Sequence, residues 1–255
     1  VSLSWTEHSV WLGRDRLLLA EASRWAPQRL RASAEQRLGA GIGPAAGLAS
    51  LLGEPNRALF KPRVHLLLGS PWVRYGVLPW QDGLSRALEW EQYARAMLRS
   101  QFGLPTEGWR LRVMAGGYGQ SRLACAMDEA LHAELLGTVA RSGRRVGRIE
   151  PSLSRVLLHY RAHWPQTDFA LLLAEDGLLT LAFFAEARWA GALVLNRSAD
   201  LAGLLQQAAS LLGLAVPQQV YLLGPAELRH SVLPQGQLHY LGDSQPRLAE
   251  REPLC

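Results

Sequence analysis

Side chains that do chemistry are sparse in this 255-residue sequence, and most sit at spacings that chemistry does not use. His159 and His163 are four apart, which on a helix puts both rings on one side, as a zinc site needs. No Glu follows the first histidine and no further ligand lies nearby, so both are read as ordinary helix-surface histidines. Gly116-Gly117-Tyr118-Gly119 has the glycine density of a phosphate cradle. Such a cradle joins a strand to a helix N-terminus and usually carries a lysine. This one joins two strand-like runs and lacks the lysine, so a hairpin turn is expected. Cys125 falls in an alternating apolar run and Cys255 is the last residue; reduced thiols account for both. There is no Gly-x-Ser-x-Gly elbow, no reactive-cysteine context and no carboxylate pair at one strand end. The expectation is no catalytic residue, no metal ligand, no cofactor-binding residue and no enzymatic activity. What remains is aromatic. Of nine tryptophans, Trp72 and Trp80 flank a short strand that carries Arg74 and Tyr75. Those four are either core packing with an arginine at its rim or a partner-binding platform.

At 48% hydrophobic and 19% charged residues, the chain can bury a sizeable core as one large domain or two of ordinary size. The longest apolar candidate, Leu178–Ala185, is interrupted by Thr180 and falls far short of the about 20 residues a spanning helix needs. Nothing at the start has the basic-then-apolar form of a secretory signal. The expectation is a cytosolic protein with no direct membrane span. The net charge is +5, and Lys61 is the only lysine. The arginines are spread through every segment, most densely at Arg141, Arg144, Arg145 and Arg148. Without a basic stripe or an aromatic platform motif, no nucleic-acid partner is expected. Scattered surface charge is the plainer reading, with acidic headgroups or an acidic partner left open.

The stretch 63–80 organises the rest. Val64, Leu66 and Leu68 alternate with His65, Leu67 and Gly69; Ser70-Pro71 breaks the run; Val73, Tyr75 and Val77 resume it until Pro79-Trp80. This predicts a strand pair joined by a turn and feeding a helix. Upstream, Val10–Leu12 and Leu17–Glu21 about Gly13-Arg14-Asp15 predict a hairpin. Residues 23–62 read as loose chain holding one short helix, Pro44–Leu52. Downstream, the pattern predicts a helix over 81–103 and a hairpin of Trp109–Ala115 with Leu123–Met127. A helix capped by Asp128 and ended by Gly143 follows. Ser142–Pro151 reads as a crossing between halves, after which Pro151 opens a helix. Phe169–Leu173, Leu178–Phe184 and Trp189–Leu195 make a three-strand meander. Ser198 then caps a helix with Leu201, Leu204, Leu205, Ala208, Leu211 and Leu212 inward, and Val220–Leu223 and Leu238–Leu241 are further strands. The result is an α/β chain of two halves, 1–147 and 148–242, with a loosely held tail at 243–255.

A meander followed by helix, strand and a final element is the repeating half of the actin-like (ribonuclease H-like) fold. The element order over residues 8–242, the block from Arg74-Tyr75 to Pro79-Trp80, and the Leu123–Asp128 strand-to-helix entry resemble the PilM/GspL group. These are cytoplasmic, actin-like scaffold proteins of type IV pilus and type II secretion assembly platforms. The resemblance implies a two-lobed fold, each lobe a mixed sheet with flanking helices, located in the cytoplasm at the inner membrane. It also implies homo-oligomers and a membrane-anchored assembly-platform partner that donates a short N-terminal peptide to the first half, which favours Trp72, Arg74, Tyr75 and Trp80 as partner-binding residues.

Actin-like proteins that bind ATP place an acid and a glycine in the hairpin turn opening each half, where backbone amides face the phosphates. Here Leu12-Gly13-Arg14-Asp15-Arg16 has no acid before its glycine, and Glu175-Asp176-Gly177 is a plain hairpin turn. On the adenine side, Leu222-Leu223-Gly224-Pro225 has one glycine and then a proline, which removes a donor. The first reading is therefore a non-enzymatic, nucleotide-free scaffold. The alternatives are an actin-like ATP-binding protein with divergent phosphate turns, in which Asp15 or Asp176 serves a weak site, and an α/β binding module with no assembly role.

Overall fold

The computed structural model describes residues 6–23, 26–39, 41–57, 61–103 and 107–243. β1 (Thr6–Leu12) and β2 (Arg16–Ser23) form the expected hairpin, His8 facing Glu21 and Leu12 facing Leu17. A third strand, β3 (Ala26–Arg37), continues the meander where loose chain was expected. Its Ala, Arg, Gln and Glu content has low strand propensity; pairing along the edge of β2 overrides it. α1 (Pro44–Leu52) lies where proline and the following apolar residues put it, burying Leu48 and Leu52. β4 (Arg63–Leu68) then runs parallel to β1, which needs a crossover, and α1 supplies it.

The organising stretch is not a strand pair. β5 (Arg74–Leu78) leaves the sheet that β4 enters, because both edges of β4 are already bonded and Ser70–Trp72 forms a 3₁₀ turn rather than a hairpin loop. α2 (Ala87–Phe102) follows, starting later than its pattern suggested. Glu89 reaches back to accept from the backbone N–H of Arg86 (2.8 Å) and Ser85 (2.9 Å), which sets the first turn. β6 (Trp109–Val113) and β7 (Arg122–Asp128) are the expected hairpin, and β7 pairs antiparallel with β5, giving the order β5-β7-β6. One face of this small sheet packs on α2 through Leu78, Leu111, Ala124 and Ala126 against Trp90, Ala94 and Leu98.

α3 (Glu129–Arg141) starts immediately after β7 and buries Leu135 and Val139. β8 (Arg145–Pro151) was expected to be a connection between halves; it is instead the fifth strand of the first sheet, parallel to β4. α4 (Ser152–His159) follows Pro151 and buries Leu153 and Val156.

The second meander forms as its three apolar runs predict: β9 (Phe169–Glu175), β10 (Leu178–Ala185) and β11 (Arg188–Asn196). α5 (Leu201–Leu212) buries Leu201, Leu205, Ala208 and Ala209 on the sheet, while Leu211, expected inward, is 66% exposed. Its cap is Asp200, whose carboxylate accepts from Gly203 N–H at 2.8 Å; Ser198, the expected cap, only donates to the Asp200 carbonyl. β12 (Gln219–Leu223) and β13 (Gln237–Gly242) complete the sheet in parallel. The expected tail lies outside the described residues beyond Asp243.

The two large sheets have the same plan. The first is ordered β3-β2-β1-β4-β8 and the second β11-β10-β9-β12-β13, each an antiparallel meander with two parallel strands added beside its first strand. By contacts the chain groups as residues 1–72 with 130–161, and 73–129 with 162–244. The β5-β7-β6 sheet and α2 thus interrupt the first unit in sequence and belong to the second.

Two stability predictions arise from this architecture. The β10–β11 turn holds Glu186 and Ala187 at φ 49° and 57°, the left-handed region that costs a non-glycine residue about 1–2 kcal/mol. Ala187→Gly should raise stability by up to about 1 kcal/mol after glycine's own entropic cost, measured by urea denaturation. Burial pushes the Tyr75 hydroxyl well above its usual range and the thiol of its register partner Cys125 up to about 12. In the unfolded chain these groups lose protons from roughly pH 8.5 and 10. The native state then holds more protons than the unfolded one, so stability should fall as pH rises above about 8.5. Cys125→Ala and Tyr75→Phe should each flatten that decline in a pH series of denaturation midpoints.

Candidate functional site

The turn between β1 and β2 is closed by its own unit. Gly13 N–H donates to the Arg16 carbonyl (2.9 Å), and the Asp15 carbonyl accepts from Leu38 N–H (2.7 Å). Gly69 N–H reaches the Leu12 carbonyl at 2.9 Å, and the Trp72 indole N–H reaches the Gly13 carbonyl at 2.9 Å. The approach at Gly69 is so close that a Cβ there would stand 2.7 Å from the Leu12 oxygen. In the second sheet, Asp176 and Gly177 have φ 41° and 77°, the signature of a tight two-residue hairpin turn with no spare residue. Gly224 N–H donates to the Gly242 carbonyl, and the Gly224 carbonyl accepts from the Tyr240 hydroxyl at 2.7 Å. Gly116–Gly119 is the hairpin turn expected from its setting between β6 and β7; Gln120 folds back so that its Oε1 accepts from Gly117 N–H at 2.9 Å.

The four platform residues have different surroundings. Trp72 lies in the first unit, its indole held at Gly13. Tyr75 is 2% exposed and has no surface to offer a partner. Arg74 sits at the start of β5 and donates to the Val73 carbonyl at 3.3 Å. Trp80 lies six residues further along the chain, past the end of β5 at Leu78. Trp80 alone takes part in an aromatic surface group, and its neighbours come from other elements: Trp90 and Tyr93 from α2, Tyr118 from the β6–β7 turn, and Arg122 from β7.

Trp80 lies 5.7 Å from Trp90 and 5.0 Å, edge-on, from Tyr118, which is 88% exposed. Trp90 is buried, with its indole N–H on the Leu84 carbonyl (3.0 Å) and its ring edge-on to Tyr93 at 6.2 Å. The Trp80 indole N–H donates to Asp82 Oδ1 at 2.8 Å. The Arg122 guanidinium lies over the Trp90 ring at 4.2 Å and near the Trp80 ring at 5.8 Å. So the arginine between two tryptophans exists, but it is Arg122 rather than Arg74. Pairing of Leu78 with Arg122 across β5 and β7 places it there. Trp90, Tyr118 and Arg122 carried no sequence signal beyond residue type, because the group is assembled across strands.

The remaining candidates do not come together as a site. α4 ends at His159, and His163 follows in a separate 3₁₀ turn, Arg161–His163, so the two do not share one helix face. Among the described residues, no group of three His, Cys, Asp or Glu is placed to hold a metal ion, and no helix is long and apolar enough to cross a membrane. Cys125, its thiol pushed up to about 12 by burial, carries no thiolate near neutral pH.

The aromatic group predicts its own ranking of substitutions. Trp90→Ala should cost about 3–5 kcal/mol of stability in chemical denaturation. Arg122→Met, which keeps an apolar stem against Trp90, should cost no more than about 2 kcal/mol.

No family model and no curated protein matches this sequence. Solved structures do. A Bacteroides thetaiotaomicron protein with actin-like ATPase fold and unknown function is 12% identical, with 93% of this chain and 91% of that one covered at a TM-score of 0.65. A chain of the PilM-PilN type IV pilus biogenesis complex is 16% identical over 92% of this chain and 88% of its own, at 0.60. The cytoplasmic domain of EpsL, an inner membrane component of the type II secretion system of Vibrio cholerae, is 14% identical over 93% and 87%, at 0.53. Identities this low speak to architecture alone, and with the twice-used sheet order they give the chain the actin-like fold.

Proposed function

We propose that the chain is a non-enzymatic scaffold, cytoplasmic and peripheral to the inner membrane, that docks on a membrane-anchored protein of a type IV pilus or type II secretion-like assembly platform. One observation carries the nucleotide-free part of this reading. At the glycine turns where an actin-like protein would meet a nucleotide, the Gly13 and Gly224 amides already donate to the Arg16 and Gly242 carbonyls, and Asp176-Gly177 is a two-residue turn with no spare residue. An amide already bonded inside the fold is not a free phosphate donor. The likeness to a chain of the PilM-PilN complex and to the EpsL cytoplasmic domain supports the docking role. The partner contacts the chain through a short N-terminal peptide, and the scaffold self-associates. The aromatic group of Trp80, Trp90, Tyr118 and Arg122 suits an interface, which favours Trp, Tyr and Arg.

Two measurements test the two parts. Equilibrium dialysis with labelled ATP and Mg²⁺ should show no saturable binding; micromolar binding or measurable turnover would establish the ATP-binding alternative. The neighbouring genes should include one for a membrane protein, and co-expression with it should yield a co-purifying complex; a chain that purifies alone would sink the scaffold reading.

A further inference from the structure

We propose that Arg122, framed by Trp80 and Tyr118, is a carboxylate-binding site that receives an acidic side chain from an aliphatic, acidic segment of a partner protein. The inference deepens the scaffold reading and rests on it. Its starting point is a guanidinium without an acceptor. Arg122 Nε is buried and has no hydrogen-bond partner, and among the described residues no carboxylate pairs with the group. That sets it apart from three other arginines of the 73–129 segment. Arg99 pairs with Glu107, Arg110 with Glu129 at 3.2 Å, and Arg112 with Glu91 at 3.0 Å. The other nearby acids are also committed: Glu89 caps α2 and Asp82 holds the Trp80 indole. The fold thus supplies acids to its neighbours and none to Arg122.

The aromatic contacts define what the site accepts. With its face over the Trp90 indole and Nε buried, the guanidinium offers a carboxylate the in-plane N–H donors of its two Nη groups, which can grip it with two parallel bonds. The buried Trp90 ring at 4.2 Å fixes that plane. Beside it, Tyr118 is 88% exposed and edge-on to Trp80, an apolar shelf for residues flanking the acid. An acidic ligand also complements a chain of net charge +5.

The test uses the full chain and a rhodamine-labelled peptide, Leu-Glu-Leu-Glu-Leu amide, with its Gln counterpart, read by fluorescence anisotropy. The acidic peptide should bind about tenfold more tightly than the neutral one at low salt. Arg122→Gln should abolish the difference, and Arg122→Lys, which keeps charge but not the fork, should restore only part of it. Tyr118→Ala, on an exposed turn, should weaken both peptides about threefold without altering the melting temperature, which keeps the test valid where an Arg122 variant folds poorly. Equal binding of the two peptides, or a preference unchanged in Arg122→Gln, overturns the proposal. So does Arg122-dependent competition by phosphatidylglycerol vesicles that outmatches the peptide, which would assign the site to lipid. If the membrane partner co-purifies equally with wild type and Arg122→Gln, this inference falls and the scaffold reading stands. If the peptide preference holds but no membrane partner co-purifies, the reverse is true.

Discussion

Both edges of β4 are bonded, to β1 on one side and β8 on the other. A parallel strand in that position cannot accept a hairpin neighbour, so the chain leaving β4 must go elsewhere. It does so through the Ser70–Trp72 turn, whose Trp72 indole closes onto Gly13 at the end of β1. Everything in residues 73–129 follows from that exit. β5 pairs with β7 instead, a small sheet forms with α2 across one face, and an aromatic surface group arises at its end.

The same sheet plan is used twice with different consequences. In each sheet the core is made by the strand faces that alternation turns toward the helices: Val10, Leu12, Leu17, Val64 and Leu66 in the first, Ala170, Leu172, Leu181, Val220 and Leu222 in the second. Each fully buried Leu or Val contributes about 1.5–3 kcal/mol relative to exposure. The opening turns are then free to diverge. One is stapled by an indole, the other is a minimal Asp-Gly turn, and Gly224 spends its donor and its acceptor on neighbouring backbone and a tyrosine. The architecture is shared with actin-like proteins, and its turns in this chain are held by contacts within the fold.

On that surface the balance of charge is local. The acids of the 73–129 segment are distributed so that Arg99, Arg110 and Arg112 each meet a carboxylate at the rim of the small sheet. Exposed pairs of this kind contribute little, a median of roughly 0–1 kcal/mol, and they act mainly by keeping long side chains in place. Arg122 is held differently, by ring faces rather than by an acid, which orders it without consuming its hydrogen-bonding capacity.

The sequence by itself determined the local elements. Apolar runs bounded by turn residues set β1, β2, β9, β10 and β11. Proline and glycine set the ends of α1, α2 and α5, since φ restriction and the left-handed cap act within a few residues. It could not determine β3, whose residues favour other states until β2 offers an edge, nor β8, whose arginines read as a solvated connection until β4 pairs with it. Nor could it choose between Arg74 and Arg122. Neighbours along a strand are separated by rise, whereas neighbours across strands are brought together by register. Tertiary pairing therefore placed Arg122 beside Trp80 and buried Tyr75, because hydrogen-bonded register, unlike propensity or periodicity, is a property of two distant segments at once.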